Sequence, residues 1–169
     1  MQGEKMQGEK MQGEKMQGEK MSEHPPVPRF TVVTLGVSDM RRSISFYEAL
    51  GFARRFRATG EAVAFFDTGG TVIGLFPWTE LAHDATLPEN PRPSTFRGIT
   101  LAWNCLSTEE VDMALDFALS KGASLLKPAQ TTDYGGYSGY FADPDGHPWE
   151  VVVAPGIEVG DDRRVHLPD

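Results

Sequence analysis

The chain has 169 residues, of which 40% are hydrophobic and 24% charged, a composition typical of one globular domain with a sizeable core. Its formal net charge of -8 disfavours nucleic acid as a partner, because phosphates require a basic surface. No apolar run approaches the roughly 20 residues that span a bilayer, so we expect no membrane segment. The single cysteine, Cys105, cannot form an internal disulfide, which favours a reducing compartment such as the cytoplasm.

The first 20 residues repeat MQGEK four times and contain no bulky apolar residue except Met. Such a segment cannot bury a core face, so we expect residues 1–20 to be a disordered tail or not native. Three interpretations stay open: an engineered tag, a natural disordered tail, or a duplicated ribosome-binding site read as protein, with Met21 as the true start. In each case the segment lies outside the predicted domain.

A first structural module is predicted over about residues 30–80. Residues 31–37 are β-branched and apolar, as in a buried strand, and Asp39 is a good N-cap for a following helix. The apolar face of that helix is formed by Met40, Ile44, Tyr47 and Leu50. Gly51 suits a left-handed helix end. Three short strands are then predicted at about 52–58, 61–67 and 71–76.

The same pattern restarts after a polar connector with three prolines, residues 82–94. In this second module, about residues 96–155, a strand at 98–104 precedes a helix whose start carries a capping box, Ser107 with Glu110. The helix stripe consists of Val111, Ala114, Leu115 and Ala118, and the later strands are predicted at 124–128, 137–142 and 149–153. The sequence Asp-Pro-Asp-Gly at 143–146 predicts a tight turn between the last two strands. Residues 156–169 form a charged C-terminal tail.

The predicted fold is therefore α+β, with two β-α-β-β-β modules that form a curved mixed sheet around a cleft and place their helices outside. Neither module alone buries both faces of its sheet, so the two must pair. Residues 30–155 then make up one domain. Such an arrangement places a ligand on the concave side of the sheet.

Two segments carry a family resemblance: VSDMRRSISFYEALGF (residues 37–52) and GGYSGYFADPDGHPWEV (residues 135–151). They resemble the vicinal-oxygen-chelate superfamily, which includes glyoxalase I, extradiol dioxygenases, fosfomycin-modifying enzymes and bleomycin-binding resistance proteins. The resemblance covers about residues 30–155 and implies the paired-module fold. It also implies a homodimer, because chains of this size in that family commonly dimerise.

Metal-dependent members of that family hold a divalent ion with His or Glu side chains, one from the first and one from the last strand of each module. Aligned on the two motifs, these positions fall on Val32, Gly74, Ile99 and Glu150. Only Glu150 can ligate a metal, and one carboxylate cannot hold a catalytic ion without partners. The resemblance therefore implies a member without the usual metal site, and we predict no cofactor.

The candidate site residues follow from strand parity and from the family pattern. Glu150 is a candidate general acid or base, or a ligand anchor; the alternative is a relic of a lost metal site, held by an arginine or a tyrosine hydroxyl. Parity places Thr34, Phe76 and Trp103 on the cleft face. Tyr140 lies where a tyrosine faces the substrate in metal-dependent relatives. For Trp103, ordinary core packing is as plausible as contact with a ligand. For Tyr140, contact with a ligand and a purely structural role are also equally open.

The remaining reactive side chains are expected to be unrelated to function. His24, His83, His147 and His166 are interpreted as exposed polar residues, although a mobile connector could bring His83 to the cleft. Cys105 is expected to be buried and inert.

Two classes of function remain open. The first is a protein that binds a small aromatic or cationic molecule between Trp103, Phe76 and Tyr140, with Glu150 and Thr34 as polar anchors. Bleomycin-binding relatives do this without a catalytic metal, and the net acidity fits a cationic ligand. The second is a lyase or isomerase of the glyoxalase type, either metal-dependent or with Glu150 as base. Whether the protein is an enzyme stays undecided at this point.

Overall fold

Two four-stranded sheets and three helices form the structure, a computed structural model that we describe over residues 28–88 and 95–167. The helices are α1 (Met40–Ala49), α2 (Trp78–Asp84) and α3 (Thr108–Ser120). The strands are β1 (Val32–Val37), β2 (Ala53–Arg55), β3 (Ala64–Asp67), β4 (Val72–Pro77), β5 (Leu101–Asn104), β6 (Ser124–Thr131), β7 (Tyr137–Ala142), β8 (Pro148–Val153), β9 (Glu158–Val159) and β10 (Val165–His166). The MQGEK repeat and His24 lie outside the described residues.

Both modules have the same strand order. Sheet A is ordered β1-β4-β3-β2 and sheet B is ordered β5-β8-β7-β6. In each sheet the first and last strands of the module are parallel neighbours, and the other pairs are antiparallel. The predicted α+β fold with two β-α-β-β-β modules is confirmed. The strands are arranged as two four-stranded mixed sheets, which share no hydrogen-bonded ladder within the described ranges.

Local sequence signals set the two long helices. Asp39 accepts a hydrogen bond from the backbone N–H of Arg42 at 3.1 Å and begins α1 as predicted. The Ser107 hydroxyl accepts from the N–H of Glu110 at 3.2 Å, which is the predicted half of the capping box. The Glu110 carboxylate accepts instead from the N–H of Leu106, at 2.6 Å. The glutamate therefore caps one residue further back than predicted.

The core lies on the helix-facing sides of both sheets, and Tyr47 of α1 joins the two. Its ring centroid is 5.6 Å from that of Phe66 in sheet A and 6.2 Å from that of Trp149 in sheet B. Phe141 stacks on Trp149 at 5.9 Å. The predicted stripe of α3 is buried at Val111, Ala114, Leu115 and Ala118. Together these side chains form one contiguous cluster across both modules.

Helix α2 begins just after the predicted last strand of the first module, which was expected to end at Phe76, and runs into the predicted polar connector at 82–94. It packs on the outer face of sheet A, over Gly36. A Cβ atom at this position would lie 3.0 Å from Cε3 of Trp78 and 3.4 Å from Cδ2 of Leu81, so a glycine is required for close approach. Trp78 is therefore a packing residue at the end of sheet A.

The C-terminal segment is also more ordered than a charged tail. Strands β9 and β10 form an antiparallel hairpin, and Nε of Arg164 donates to the carbonyl of Gly69 at 3.2 Å. This contact fastens the hairpin to the turn between β3 and β4. None of the helices in the described part of the chain is long and apolar enough to cross a membrane.

Candidate functional site

A buried network at the turn before β8 joins the two modules. Asp145 is fully buried and accepts hydrogen bonds from the N–H and hydroxyl of Ser38, at 2.8 and 2.7 Å. It also accepts from the Ser43 hydroxyl at 2.5 Å and from the Arg42 guanidinium at 3.0 Å. Burial raises the pKa of Asp145, but the hydrogen bonds from Ser43 and Ser38 and the charge of Arg42 outweigh it and hold the pKa below its ordinary value.

Neighbouring side chains extend this network on both sides. The Tyr47 hydroxyl donates to Asp143 at 2.8 Å and accepts from Nε1 of Trp149 at 3.3 Å. Nε2 of His147 lies 2.8 Å from the carbonyl oxygen of Gly36. The prediction that His147 is an exposed polar residue is therefore wrong, because its ring is inserted between the modules. We call this network of residues 143–147 with their partners in the first module the inter-module clasp.

The clasp fixes the start of β8 and thereby the position of Glu150. Glu150 lies on the face of sheet B that points away from α3. In the ladders it pairs with Ala102 of β5 and with Tyr140 of β7, and Tyr140 pairs in turn with Lys127 of β6. Since paired residues share a face, these four side chains form one line across the sheet. We call Ala102, Glu150, Tyr140 and Lys127 the Glu150 row.

The charged and aromatic members of this row interact with one another. Burial raises the pKa of Tyr140 to about 12, and the hydrogen bond to Glu150 and its negative charge act in the same direction. The phenol is therefore neutral near pH 7 and hydrogen-bonds to the carboxylate. Nζ of Lys127 lies 5.7 Å from the centroid of the Tyr140 ring. The arrangement matches the alternative in which a tyrosine hydroxyl holds Glu150.

Trp103 does not belong to this face. It pairs with Val151 in the β5–β8 ladder, lies against the core and contacts Phe52 with ring centroids 6.3 Å apart. The prediction that Trp103 faces the cleft is therefore wrong, because side chains alternate along a strand and the cleft face of β5 carries the neighbouring residue. On β5 the residue that shares a face with Glu150 is Ala102. Core packing, the alternative weighed for Trp103, is what the structure has.

Sheet A carries an equivalent row with different chemistry. Thr34 pairs with Gly74, Gly74 with Phe65, and Phe65 with Arg55. Gly74 therefore occupies in sheet A the position of Glu150 in sheet B. Thr34 is exposed on the face that points away from α1. Phe76, on the same face, is half-buried beside α2.

The comparisons with known proteins agree with this architecture. A model of the Glyoxalase/Bleomycin resistance protein/Dioxygenase superfamily matches residues 29–151. The chain belongs to this superfamily. The metallothiol transferase FosB of Lysinibacillus sphaericus is 30% identical over 114 residues, which are 68% of this chain and 74% of that protein. FosB of Shouchella clausii is 29% identical over 120 residues, 70% of this chain and 75% of that protein.

Solved structures give the same result for the fold. A glyoxalase-related enzyme from Fulvimarina pelagi has a TM-score of 0.75 and 32% identity, and the match covers 85% of this chain and all of the other. A glyoxalase/bleomycin resistance protein/dioxygenase family enzyme from Burkholderia phytofirmans has a TM-score of 0.65 and 22% identity, with 75% and 99% of the two chains covered.

The superfamily's divalent metal does not fit the residues at the equivalent positions. The ladders make Thr34 equivalent to Ala102, so the counterpart of Val32 in the second module is Thr100 rather than Ile99. Neither Ile99 nor Thr100 supplies a carboxylate, imidazole or thiolate. No group of three or more His, Cys, Asp or Glu side chains that could hold a metal ion occurs among residues 28–88 and 95–167.

The remaining histidines and the cysteine lie apart from the Glu150 row in the part of the chain described. His83 is exposed in the last turn of α2, and His166 is exposed in the C-terminal hairpin, 3.4 Å from Asp162. Cys105 is buried as predicted, and burial raises the pKa of its thiol to about 12. A surface groove of about 440 Å³ between α3 and β6 lies on the helix side of sheet B and contains none of the predicted site residues.

Sequence reasoning missed Lys127 and the role of the turn at 143–147. Lys127 lies in a segment whose alternation is interrupted, because β6 shifts register on both sides of it. Its face could not be assigned without the ladder to β7. The sequence predicts Asp143 and Asp145 as turn residues and as part of the family motif, but not as the buried acceptors of a hydrogen-bond network. Their hydrogen-bond partners Arg42, Ser43 and Tyr47 are close in space but more than 90 positions away in the sequence. No local sequence pattern therefore indicates these contacts.

Proposed function

We propose that the protein binds a small aromatic or cationic molecule in a cleft on the sheet faces that point away from α1 and α3, at the Glu150 row, without the divalent metal of its superfamily. The observation that carries this proposal is the side-chain line formed by Glu150, Tyr140 and Lys127 on one face of sheet B. It offers a carboxylate, an aromatic ring and an ammonium group within three neighbouring strands.

Glu150 is the anchor in this proposal, because a half-buried carboxylate attracts a cation or a hydrogen-bond donor more strongly than one in open water. Tyr140 supplies a ring face for an apolar or cationic group. Thr34 and Phe76 extend the proposed site on the corresponding face of sheet A. Trp103 is not part of it, since its ring contacts the core.

A metal-dependent enzyme is the second candidate, and the specific observation in its favour is the 30% identity to a metallothiol transferase. Against it stand Val32, Gly74 and Thr100, which provide no metal ligand of the kind transition metals prefer. A metal-free lyase or isomerase with Glu150 as base would use the same site. Such an enzyme would convert its ligand to product, whereas a binding protein would release it unchanged.

The test uses phenethylamine, a small aromatic cation, in isothermal titration calorimetry with the full chain. We expect Glu150→Gln to raise the dissociation constant for phenethylamine by roughly 10- to 100-fold, because hydrogen bonds to charged groups contribute about 1.5–3 kcal/mol. Glu158→Gln, an exposed change in β9, is the matched control and should leave binding unchanged. Equal binding by wild type and Glu150→Gln would refute the site.

Metal content is measured in the same preparations, made without a histidine tag and offered nickel, zinc, manganese or ferrous iron in turn. We expect no stoichiometric ion and no thermal stabilisation. One tightly bound ion per chain would overturn the proposal and make a metal-dependent enzyme the leading function. Cytoplasmic location and a homodimer belong to the same proposal, the first supported by the free thiol of Cys105 and the second by the family resemblance.

A further inference from the structure

The charges of the Glu150 row point to a narrower ligand class. We infer that the row selects a zwitterion, a small molecule with an ammonium group and a carboxylate group a few bonds apart, as in an amino acid. This inference rests on the proposed function, because it takes the same row as the binding site. It adds Lys127 as a second recognition group and replaces a general cation with a ligand of two opposite charges.

Lys127 gives one end of the row a positive charge that is available to a ligand. Its side chain is half-buried against the ring of Tyr140, with Nζ 5.7 Å from the ring centroid. The ion pairs of residues 28–88 and 95–167 do not include Lys127. A carboxylate on a bound molecule would therefore meet an ammonium group that has no acidic partner within these ranges.

The spacing of the two charges fits one small molecule. Glu150 lies on β8 and Lys127 on β6, two strands apart, so their backbones are about 10 Å apart at the usual strand spacing. The Glu150 carboxylate is hydrogen-bonded to the Tyr140 hydroxyl, and Nζ of Lys127 lies 5.7 Å from the centroid of the same ring. Both charges therefore lie beside one phenol, within reach of a single small molecule placed over it.

Electrostatics disfavour ligands that carry only one charge. A simple cation is attracted by Glu150 but repelled by Lys127, and a simple anion meets the reverse situation. A zwitterion aligned along the row satisfies both groups. The phenol of Tyr140 between Glu150 and Lys127 is neutral, so it adds no charge to the row, and its ring can contact the apolar part of the ligand.

The equivalent row of sheet A does not have this property. Gly74 stands at the position of Glu150, and Phe65 at the position of Tyr140. Arg55 takes the position of Lys127, but its guanidinium lies 3.6 Å from the carboxylate of Asp67. The pair of opposite charges without an ion-pair partner in the described ranges is therefore a property of sheet B.

Three probes that share a phenyl ring and differ in charge test the inference: phenylalanine, phenethylamine and 3-phenylpropionate. In calorimetry with the wild-type full chain, we expect phenylalanine to bind about tenfold or more tighter than either of the others. Lys127→Met should weaken phenylalanine binding and strengthen phenethylamine binding, because it removes the attraction for the carboxylate of the first and the repulsion of the ammonium group of the second; phenylalanine should then lose its advantage. The matched control is Lys121→Met, since Lys121 also stacks on a ring, that of Phe117 at 5.1 Å, but on α3.

The outcomes separate the inference from the proposed function. If phenylalanine and phenethylamine bind equally, or 3-phenylpropionate binds most tightly, the zwitterion is refuted; the proposed function still stands where Glu150→Gln weakens phenethylamine. If none of the three probes binds, both fail. The ranking of the probes on the wild type needs no variant, so a folding defect in Lys127→Met cannot obscure the result.

Discussion

Asp145→Asn replaces the buried carboxylate of the inter-module clasp with an amide of nearly the same size. Among the described residues, Ser38 donates two hydrogen bonds to this carboxylate, and Ser43 and Arg42 donate one each. Each contributes about 1 kcal/mol net, and the amide keeps one acceptor oxygen while its NH₂ group faces donors. We therefore expect the free energy of unfolding to fall by about 2–3 kcal/mol.

Urea unfolding followed by circular dichroism measures this change. With an m value of about 2 kcal/mol/M, the midpoint should move down by about 1 M. The matched control is Asp161→Asn, which alters an exposed carboxylate in the C-terminal segment and should stay within about 0.5 kcal/mol. A double-mutant cycle of Asp145→Asn with Ser43→Ala should give a coupling energy above about 1 kcal/mol, because the two side chains are in contact.

The acid range provides a second readout of the same network. Because the folded protein holds the pKa of Asp145 below its ordinary value of 3.8, this carboxylate stabilises the fold above that pH. The stabilisation is lost as the pH falls through the folded pKa, and Asp145→Asn should lack this component. A loss smaller than 0.5 kcal/mol at pH 7, or additive effects of Asp145→Asn and Ser43→Ala, would refute the clasp as a stabilising contact.

Two further predictions concern single groups. Burial raises the pKa of Cys105 to about 12, so we expect no reaction with a thiol reagent at pH 8 in the folded protein and one equivalent after unfolding in urea; labelling of the folded chain within seconds would contradict this. The pKa of Tyr140 is also raised, from 10.0 to about 12, so its stabilising contribution is present below about pH 10 and is lost as the pH rises towards 12. Urea unfolding of Tyr140→Phe should show a shallower alkaline loss of stability than wild type or Tyr134→Phe, and equal slopes would count against it.

Much of the fold follows from the sequence because its signals are local. The N-cap at Asp39, the left-handed residue at Gly51 and the apolar stripes of α1 and α3 are set by neighbouring residues, and the structure has them where the pattern predicts them. Helix α2 was missed because it is seven residues long and is held by contacts with Gly36, far away in sequence.

The site was harder to predict because it depends on strand register. Parity with Ile99, the position aligned on the family motifs, predicts Trp103 on the cleft face. The pairing of β5 with β8 makes Thr100 the equivalent position instead, and Trp103 therefore points to the core. Glu150 was found because it follows a turn motif of the family. Lys127 was missed because β6 is irregular on both sides of it.

The duplicated module has unequal halves, and this determines how many ligands one chain can hold. Gly74 and Glu150 occupy the same position in the two sheets, yet only the second has a side chain that can recognise a ligand. A protein made of two like halves would be expected to saturate at two equivalents per chain. Under the proposed function a titration should instead saturate at one equivalent per chain, with Thr34 and Phe76 of the first half contributing to the single site anchored by Glu150.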